Sequence, residues 1–203
     1  LARTESQLRE LEGEIRAAGG TCHVAPCDVR DREATERAVH QLIEALGGLY
    51  ALINNAGTVI RKDVFEISPE EWRTLIDTNV HGVFHATRAV LPHLRRQGKG
   101  HIINMSSISG RLPLAGGSGY AASKYAVTGF SESLFHEVRD LGIKVTTVFP
   151  GSVDTASHRD AADDSGWKVR PEEVGEACRE ILRTSPTNCI SRVEIRPLRK
   201  PQG

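Results

Sequence analysis

Tyr120-Ala-Ala-Ser-Lys124 sets a phenol and an ammonium four residues apart, and Ser107 stands a short distance upstream. If this stretch begins a helix, four residues make a little over one turn, which brings both groups to one face at stacked levels. That pairing suits proton transfer. A free tyrosine titrates near pH ~10, so its use near neutrality means favouring phenolate by about three units, roughly 4 kcal/mol. A unit charge about 4 Å away supplies on the order of 4 kcal/mol at an effective dielectric near 20, so one lysine is enough in magnitude. A lone pair at this spacing is more often a solvated helix face than a site, so the elements around it decide.

Ser107 follows the apolar run His101-Ile-Ile-Asn-Met105, which reads as a buried parallel strand. Its hydroxyl would then emerge at the carboxyl edge of a sheet, where open α/β sheets bind ligands. Ser109 to Gly119 is rich in turn residues and lets the chain return to set Tyr120 near Ser107, with Ser109, Leu112 and Leu114 placed to line a substrate pocket. Lys144 to Phe149 alternates β-branched residues and reads as the next parallel strand, delivering Pro150-Gly-Ser-Val-Asp-Thr155 to the same edge. Upstream, Leu8, Leu11 and Ile15 recur at helical spacing until Gly19-Gly20, and Thr21 to Ala25 reads as a short strand. Asp31 is placed to cap a helix over Arg32 to Leu46. Tyr50 to Ile53 is an apolar strand that runs into Asn54-Asn55-Ala56-Gly57, small and amide residues suited to a backbone lying against a flat ligand. Ser68-Pro69-Glu70-Glu71 opens a long helix towards Arg96. Pro171 to Arg183 is a further helix, and Arg192 to Arg196 a last strand.

The chain has 203 residues, enough for one domain with a sizeable core, read here as a single domain over 1–203. Acidic and basic side chains balance at 26 each, which gives no electrostatic argument for nucleic acid or a membrane surface. No apolar run approaches a membrane span, so a soluble, cytoplasmic protein is expected. The four cysteines (Cys22, Cys27, Cys178, Cys189) lack zinc-ligand spacing and read as reduced thiols. His81 and His85 have a zinc-compatible i, i+4 spacing but no acidic or cysteine partner beside them. No metal is expected, and a helix surface or subunit contact is the better reading.

Taken together, Ser107, Tyr120-x-x-x-Lys124, Asn54-Asn55-Ala56-Gly57, Asn79 before Gly82, and Pro150-Gly151 resemble, in order and spacing, the short-chain dehydrogenase/reductase family. The resemblance implies an α/β fold, a Rossmann-like doubly wound parallel sheet with helices on both faces. It implies hydride transfer between a nicotinamide cofactor and a small carbonyl or secondary alcohol, with Tyr120 as general acid/base, Ser107 on the reacting oxygen, and Lys124 lowering the tyrosine pKa and holding the nicotinamide ribose. Asn79 would distort its helix and complete a proton path. For the cofactor it implies Asp28 and Val29 near adenine, Asn55, Ala56 and Gly57 beside the adenosine ribose, and Pro150, Gly151, Val153 and Thr155 near the carboxamide and phosphates. It also implies pairing of the helices around Asn79 and Tyr120 between subunits, hence a homodimer or homotetramer. Between Thr155 and Pro171 a short polar segment, with His158, Arg159, Asp160, Asp163 and Asp164 and only Trp167 large and apolar, would order over substrate. A second reading is a dinucleotide-sensing or scaffold protein without turnover. The intact Ser107, Tyr120 and Lys124 set speaks against it.

The family begins with a strand, a glycine-rich turn and a helix whose amino end holds the pyrophosphate, and no such stretch precedes Leu1. Leu1-Ala2-Arg3 resembles the tail of the second strand, with Arg3 where a residue selects the cofactor. Arginine there favours a 2′-phosphate, and so NADP(H) over NAD(H). The absent first strand would belong between Tyr50–Ile53 and the outer strands, and a sheet opened there exposes unpaired backbone on two edges. The expectation is therefore a longer chain, with an intact mass above the 22.2 kDa of these residues. Mass spectrometry of the intact polypeptide tests it, and a mass of 22.2 kDa defeats it.

Overall fold

Helix-start chemistry appears where the sequence places it. The computed structural model describes residues 1–155 and 165–199, so the polar segment from His158 to Asp164 lies outside the described residues. Helix α1 (Glu5–Ala17) buries Leu8, and α2 (Arg32–Ala45) begins at Asp31, whose carboxylate accepts the Ala34 N–H at 2.9 Å. Helix α3 (Pro69–Ile76) opens with a full capping box: Ser68 Oγ accepts the Glu71 N–H at 3.1 Å and Glu71 accepts the Ser68 N–H at 2.9 Å. The long helix expected from there is interrupted by a π turn, Asp77–His81, before it continues as α4 (Gly82–Gln97).

Strands β1 (Ala51–Asn54), β2 (Gly100–Met105), β3 (Ile143–Pro150) and β4 (Arg192–Ile195) pair in parallel in that order. Residues alternate between two apolar layers, which is why these strands read as nearly continuous hydrophobic runs. Ile102, Ile143 and Val145 pack with Val39 of α2, Ala89, Val90 and Leu94 of α4, and Leu134 and Val138 of α5 (Ser118–Val138). Ile103 and Val148 face the other way, onto Cys178 and Ile181 of α6 (Pro171–Leu182). Helices thus cover both faces of a parallel sheet.

One strand is not formed. Thr21 to Ala25 makes no ladder, and only Ala2 and Pro26 pair, in parallel, with the Cys27 N–H on the Ala2 carbonyl at 2.8 Å. A strand exists only as a pairing, and β1, the nearest strand, does not reach this bridge. Between the two lies a cleft of about 490 Å³, whose lining includes Ala2, Arg3, Leu42, Leu52, Asn55 and Val90.

Within β2, His101 is fully buried; its Nε2 meets Thr146 Oγ1 at 2.7 Å and its Nδ1 has no partner. Burial, with the nearby Lys144 ammonium, pushes its pKa down to about 4. Below its ordinary value of ~6.5 the unfolded chain binds a proton that the native chain refuses, so stability is complete above that value and falls as pH drops towards about 4. The loss expected by then is on the order of 3 kcal/mol. Urea titrations at pH steps should show this slope, and His101→Gln should flatten it.

Candidate active site

The carboxyl ends of β1, β2 and β3 deliver three segments to one edge: Asn55 to Thr58, Ser106 to Gly110, and Gly151 to Thr155. Ser107 precedes a single 3-10 turn, Ile108–Gly110, and its Oγ accepts the Ser109 N–H at 3.1 Å. That leaves its own O–H to donate. Helix α5 begins at Ser118, so Tyr120 lies in its first turn and Lys124 one turn on, both buried at 8% and 7% exposure. Lys124 Nζ stands 5.9 Å from the Tyr120 ring centre and donates to the Met105 carbonyl at 2.9 Å. The three side chains expected from the sequence meet at one place.

Their electrostatics differ from expectation. Burial pushes the Tyr120 phenol above its ordinary value, and the groups that draw it partly back are the Ser107 hydrogen bond and the charge of Arg61. Lys124, expected to lower it, is not among these groups. Its ammonium is turned onto Met105, and burial brings its own pKa down to about 8.

Asn79 is fully buried in the π turn. Its Oδ1 accepts the Thr58 N–H at 2.7 Å, and its Nδ2 donates to the Thr58 carbonyl at 2.9 Å and to Ser123 Oγ at 3.0 Å. Both amide hydrogens are taken, so the side chain ties the strap after Gly57 to α5. Gly82, one turn on, admits Val29: a Cβ there would stand 2.7 Å from Val29 Cγ2. His85 Nδ1 donates to the Val29 carbonyl at 3.0 Å, and His81 pairs with Asp77 at 3.0 Å.

Several positioning residues escaped the sequence reading. Ser106 Oγ donates to the Lys124 carbonyl at 3.0 Å and meets Thr128 Oγ1 at 2.9 Å. At Gly110 a Cβ would come 2.4 Å from Ser106 Oγ and 2.8 Å from the Lys124 carbonyl, so only glycine lets this turn seat on α5. Asn54 donates to Asn104 Oδ1 at 2.7 Å, and Asn104 donates to Ser131 Oγ at 2.8 Å. An asparagine inside an apolar strand, as at Asn104, was the available signal.

Of the residues expected at a cofactor, Arg3, Asp28, Val29, Asn55, Ala56 and Gly57 line the one cleft beside β1. Asp28 also binds Arg30, at 2.6 Å at the closest, which holds its carboxyl below the usual range. Pro150 ends β3, the Gly151 N–H donates to the Ile195 carbonyl at 2.7 Å, and Val153 pairs with Val169. That bridge brings the turn Ser165–Trp167 close to the segment that ends at Thr155. Leu114 folds back on its own loop, since a Cβ at Gly117 would meet Leu114 Cδ2 at 2.5 Å, and Ser109 is buried. Among the described residues no three metal-ligating side chains gather, and no helix is long and apolar enough to cross a membrane.

Comparison with known proteins agrees with this arrangement. The sequence profile described as short chain dehydrogenase matches residues 1–166. The uncharacterized oxidoreductase MW2403 of Staphylococcus aureus (strain MW2) is 32% identical over 197 residues, covering 97% of this chain and 84% of that protein. The closed form of serine dehydrogenase complexed with NADP+ superposes with a TM-score of 0.88 at 32% identity, over 100% of this chain and 86% of that one. A gluconate 5-dehydrogenase from Burkholderia cenocepacia J2315, in complex with NADP and tartrate, gives a TM-score of 0.85 at 25% identity, over 96% and 82%. On the site's geometry and these matches together, the chain belongs to the short-chain dehydrogenase family of oxidoreductases, with that family's Rossmann-like α/β fold.

Proposed function

We propose that the chain moves a hydride between a nicotinamide dinucleotide and a small carbonyl or secondary-alcohol substrate, with Tyr120 exchanging the proton as general acid/base. The observation that carries this reading is the meeting of Ser107, Tyr120 and Lys124 at the carboxyl edge of β2. The edge also fits such a cofactor. At Gly57 a Cβ would stand 3.2 Å from Asn79 Oδ1 and 3.7 Å from Lys124 Nζ, so the absence of a side chain keeps space open beside the buried ammonium. An ammonium has three donors, and Met105 is the only acceptor Lys124 has among the described residues. Lys124 would hold the nicotinamide ribose, Val153 and Thr155 the carboxamide, Pro150 and Gly151 their approach, and Asn55 to Gly57 the adenosine ribose. Asp28 would reach the adenine amino group while keeping Arg30. Arg3, exposed at the rim, supports a 2′-phosphate and so NADP(H) over NAD(H), as do the NADP-bound neighbours.

When bound, the cofactor supplies or accepts the hydride. Ser107 donates its hydroxyl to the substrate oxygen and stabilises charge as it develops there. Tyr120 delivers its proton to that oxygen in reduction and removes one in oxidation. Asn79, with both amide hydrogens engaged, acts by fixing the Thr58 strap rather than as a proton donor. Trp167 is the candidate apolar wall over the substrate. Exposed Trp72, Phe84 and Tyr125 support pairing of copies into a dimer or tetramer.

Removing only the phenolic hydroxyl, Tyr120→Phe, should cut turnover by about 10²-fold or more while largely sparing cofactor affinity. Following the reduced-nicotinamide absorbance over a panel of ketones, aldehydes and alcohols checks the first point, and cofactor titration the second. Near-normal turnover refutes the role. For Lys124, a native pKa of about 8 lies below the ordinary 10.5, so the native chain sheds this proton first as pH rises. Stability should therefore increase with pH from about 8 until phenol ionisation intervenes. Denaturant titrations on the protein and on Lys124→Met should show that rise and its absence.

A further inference from the structure

The turn that carries Ser107 is closed on itself, so whatever holds its far end also holds the serine. Besides the Ser109 N–H on Ser107 Oγ, the Gly110 N–H donates to the Ser107 carbonyl at 2.9 Å. The Arg111 and Leu112 N–H groups both donate to the Ile108 carbonyl, at 3.0 and 2.9 Å. On its inner side the turn is seated against α5, where Thr128 Oγ1 lies 3.2 Å from the Gly110 carbonyl. Its outer end is Arg111.

From there the Arg111 side chain reaches across β3. Its guanidinium carbon stands 5.3 Å from the centre of the Phe149 ring, which is fully buried beneath it, and Nη1 donates to Glu194 Oε2 at 2.6 Å. Phe149 and Glu194 are register partners on β3 and β4, so the arginine spans one strand to reach the edge of the sheet. The other Glu194 oxygen accepts from Arg196 Nε, so the two guanidiniums use different oxygens and do not compete. One residue on, the Ile195 carbonyl accepts the Gly151 N–H at 2.7 Å. Strand β4 therefore holds the serine turn through a side chain and the segment after β3 through its backbone. Two of the three segments at the site share one anchor.

We propose that Arg111, through Glu194, is a positioning residue for Ser107: the ion pair fixes the serine turn over β3 and couples it to the edge strand β4. The effect on turnover rests on the oxidoreductase reading above; the effect on the turn does not. A part-exposed pair of this kind contributes little to folding. Its leverage is geometric, because a misplacement of about 1 Å in a group that meets the reacting atoms can cost about 10²-fold in rate.

Amide hydrogen exchange followed by NMR reads the turn with no substrate present. Arg111→Met, which keeps an apolar stem over Phe149, and Glu194→Gln should each speed exchange at Gly110 and Leu112 by about 2- to 5-fold. The double variant should add nothing to either alone, and Arg111→Lys should restore part of the protection. On whichever ketone, aldehyde or alcohol is turned over, the same variants should lower kcat by about 3- to 10-fold and leave the cofactor KM unchanged, since the Gly151 anchor is backbone. Arg192→Met removes the neighbouring pair of β4 with Glu132 of α5, at 2.6 Å, and should move neither readout. Exchange unmoved in Arg111→Met and Glu194→Gln, kcat unmoved where exchange is faster, or an equal fall of kcat in Arg192→Met overturns the assignment of Arg111 and leaves the oxidoreductase reading standing. Turnover of no compound overturns that reading and the catalytic part of this one with it, while exchange still decides whether Arg111 anchors the turn.

Discussion

An ammonium buried at the end of a strand constrains nearly everything around it. Lys124 cannot be hydrated where it sits, so it needs a fixed acceptor, and the Met105 carbonyl at the end of β2 supplies one. That single bond sets the height of α5 over the sheet and therefore the position of Tyr120 one turn earlier. The Ser106 hydroxyl on the Lys124 carbonyl and the bare Cα of Gly110 fix the same turn from the other side. Ser107 lies between them and has little freedom. The meeting of Ser107, Tyr120 and Lys124 thus follows from how one charged side chain is buried.

Behind the site, a polar chain crosses the layer between sheet and helices. Thr87 on α4, Asn54 on β1, Asn104 on β2 and Ser131 on α5 are linked in sequence, and Ser131 returns to the Val127 carbonyl at 2.6 Å. Such groups cost free energy when buried unless each finds a partner, and here each does. An apolar core tolerates sliding, whereas this chain accepts one register of β1 on β2. The Asn54–Gly57 strap is therefore delivered to the same level as Ser107.

What was legible in the sequence was local. Asp31 and Ser68 carry helix starts in their own side chains, and the runs Ile102–Ile103 and Val145–Val148 carry strands in their composition. The pair Tyr120 and Lys124 needed only a helix to meet. What failed depended on partners distant in sequence. Thr21 to Ala25 has strand composition but no pairing edge within reach. Ser106, Gly110 and Thr128 matter only because two elements converge on them. The π turn does not alter the apolar periodicity; its sign is Asn79, and the grip of that amide on Thr58 and Ser123 spans 21 and 44 residues. The sequence argument from magnitude placed a charge near the phenol, as the fold does, but could not show that burial brings the pKa of Lys124 itself down to about 8.

The raised pKa of Tyr120 is consistent with proton transfer once direction is considered. Burial keeps the proton on the phenol at neutral pH, which suits a donor to a reduced carbonyl oxygen without further adjustment. Running the other way, the phenol must first give its proton up, and that requires positive charge. One cation stands by the phenol: Lys124, 5.9 Å from the Tyr120 ring centre, whose own pKa burial brings down to about 8. A bound ligand that excludes water strengthens the field of that ammonium, because the effective dielectric between charge and phenol falls.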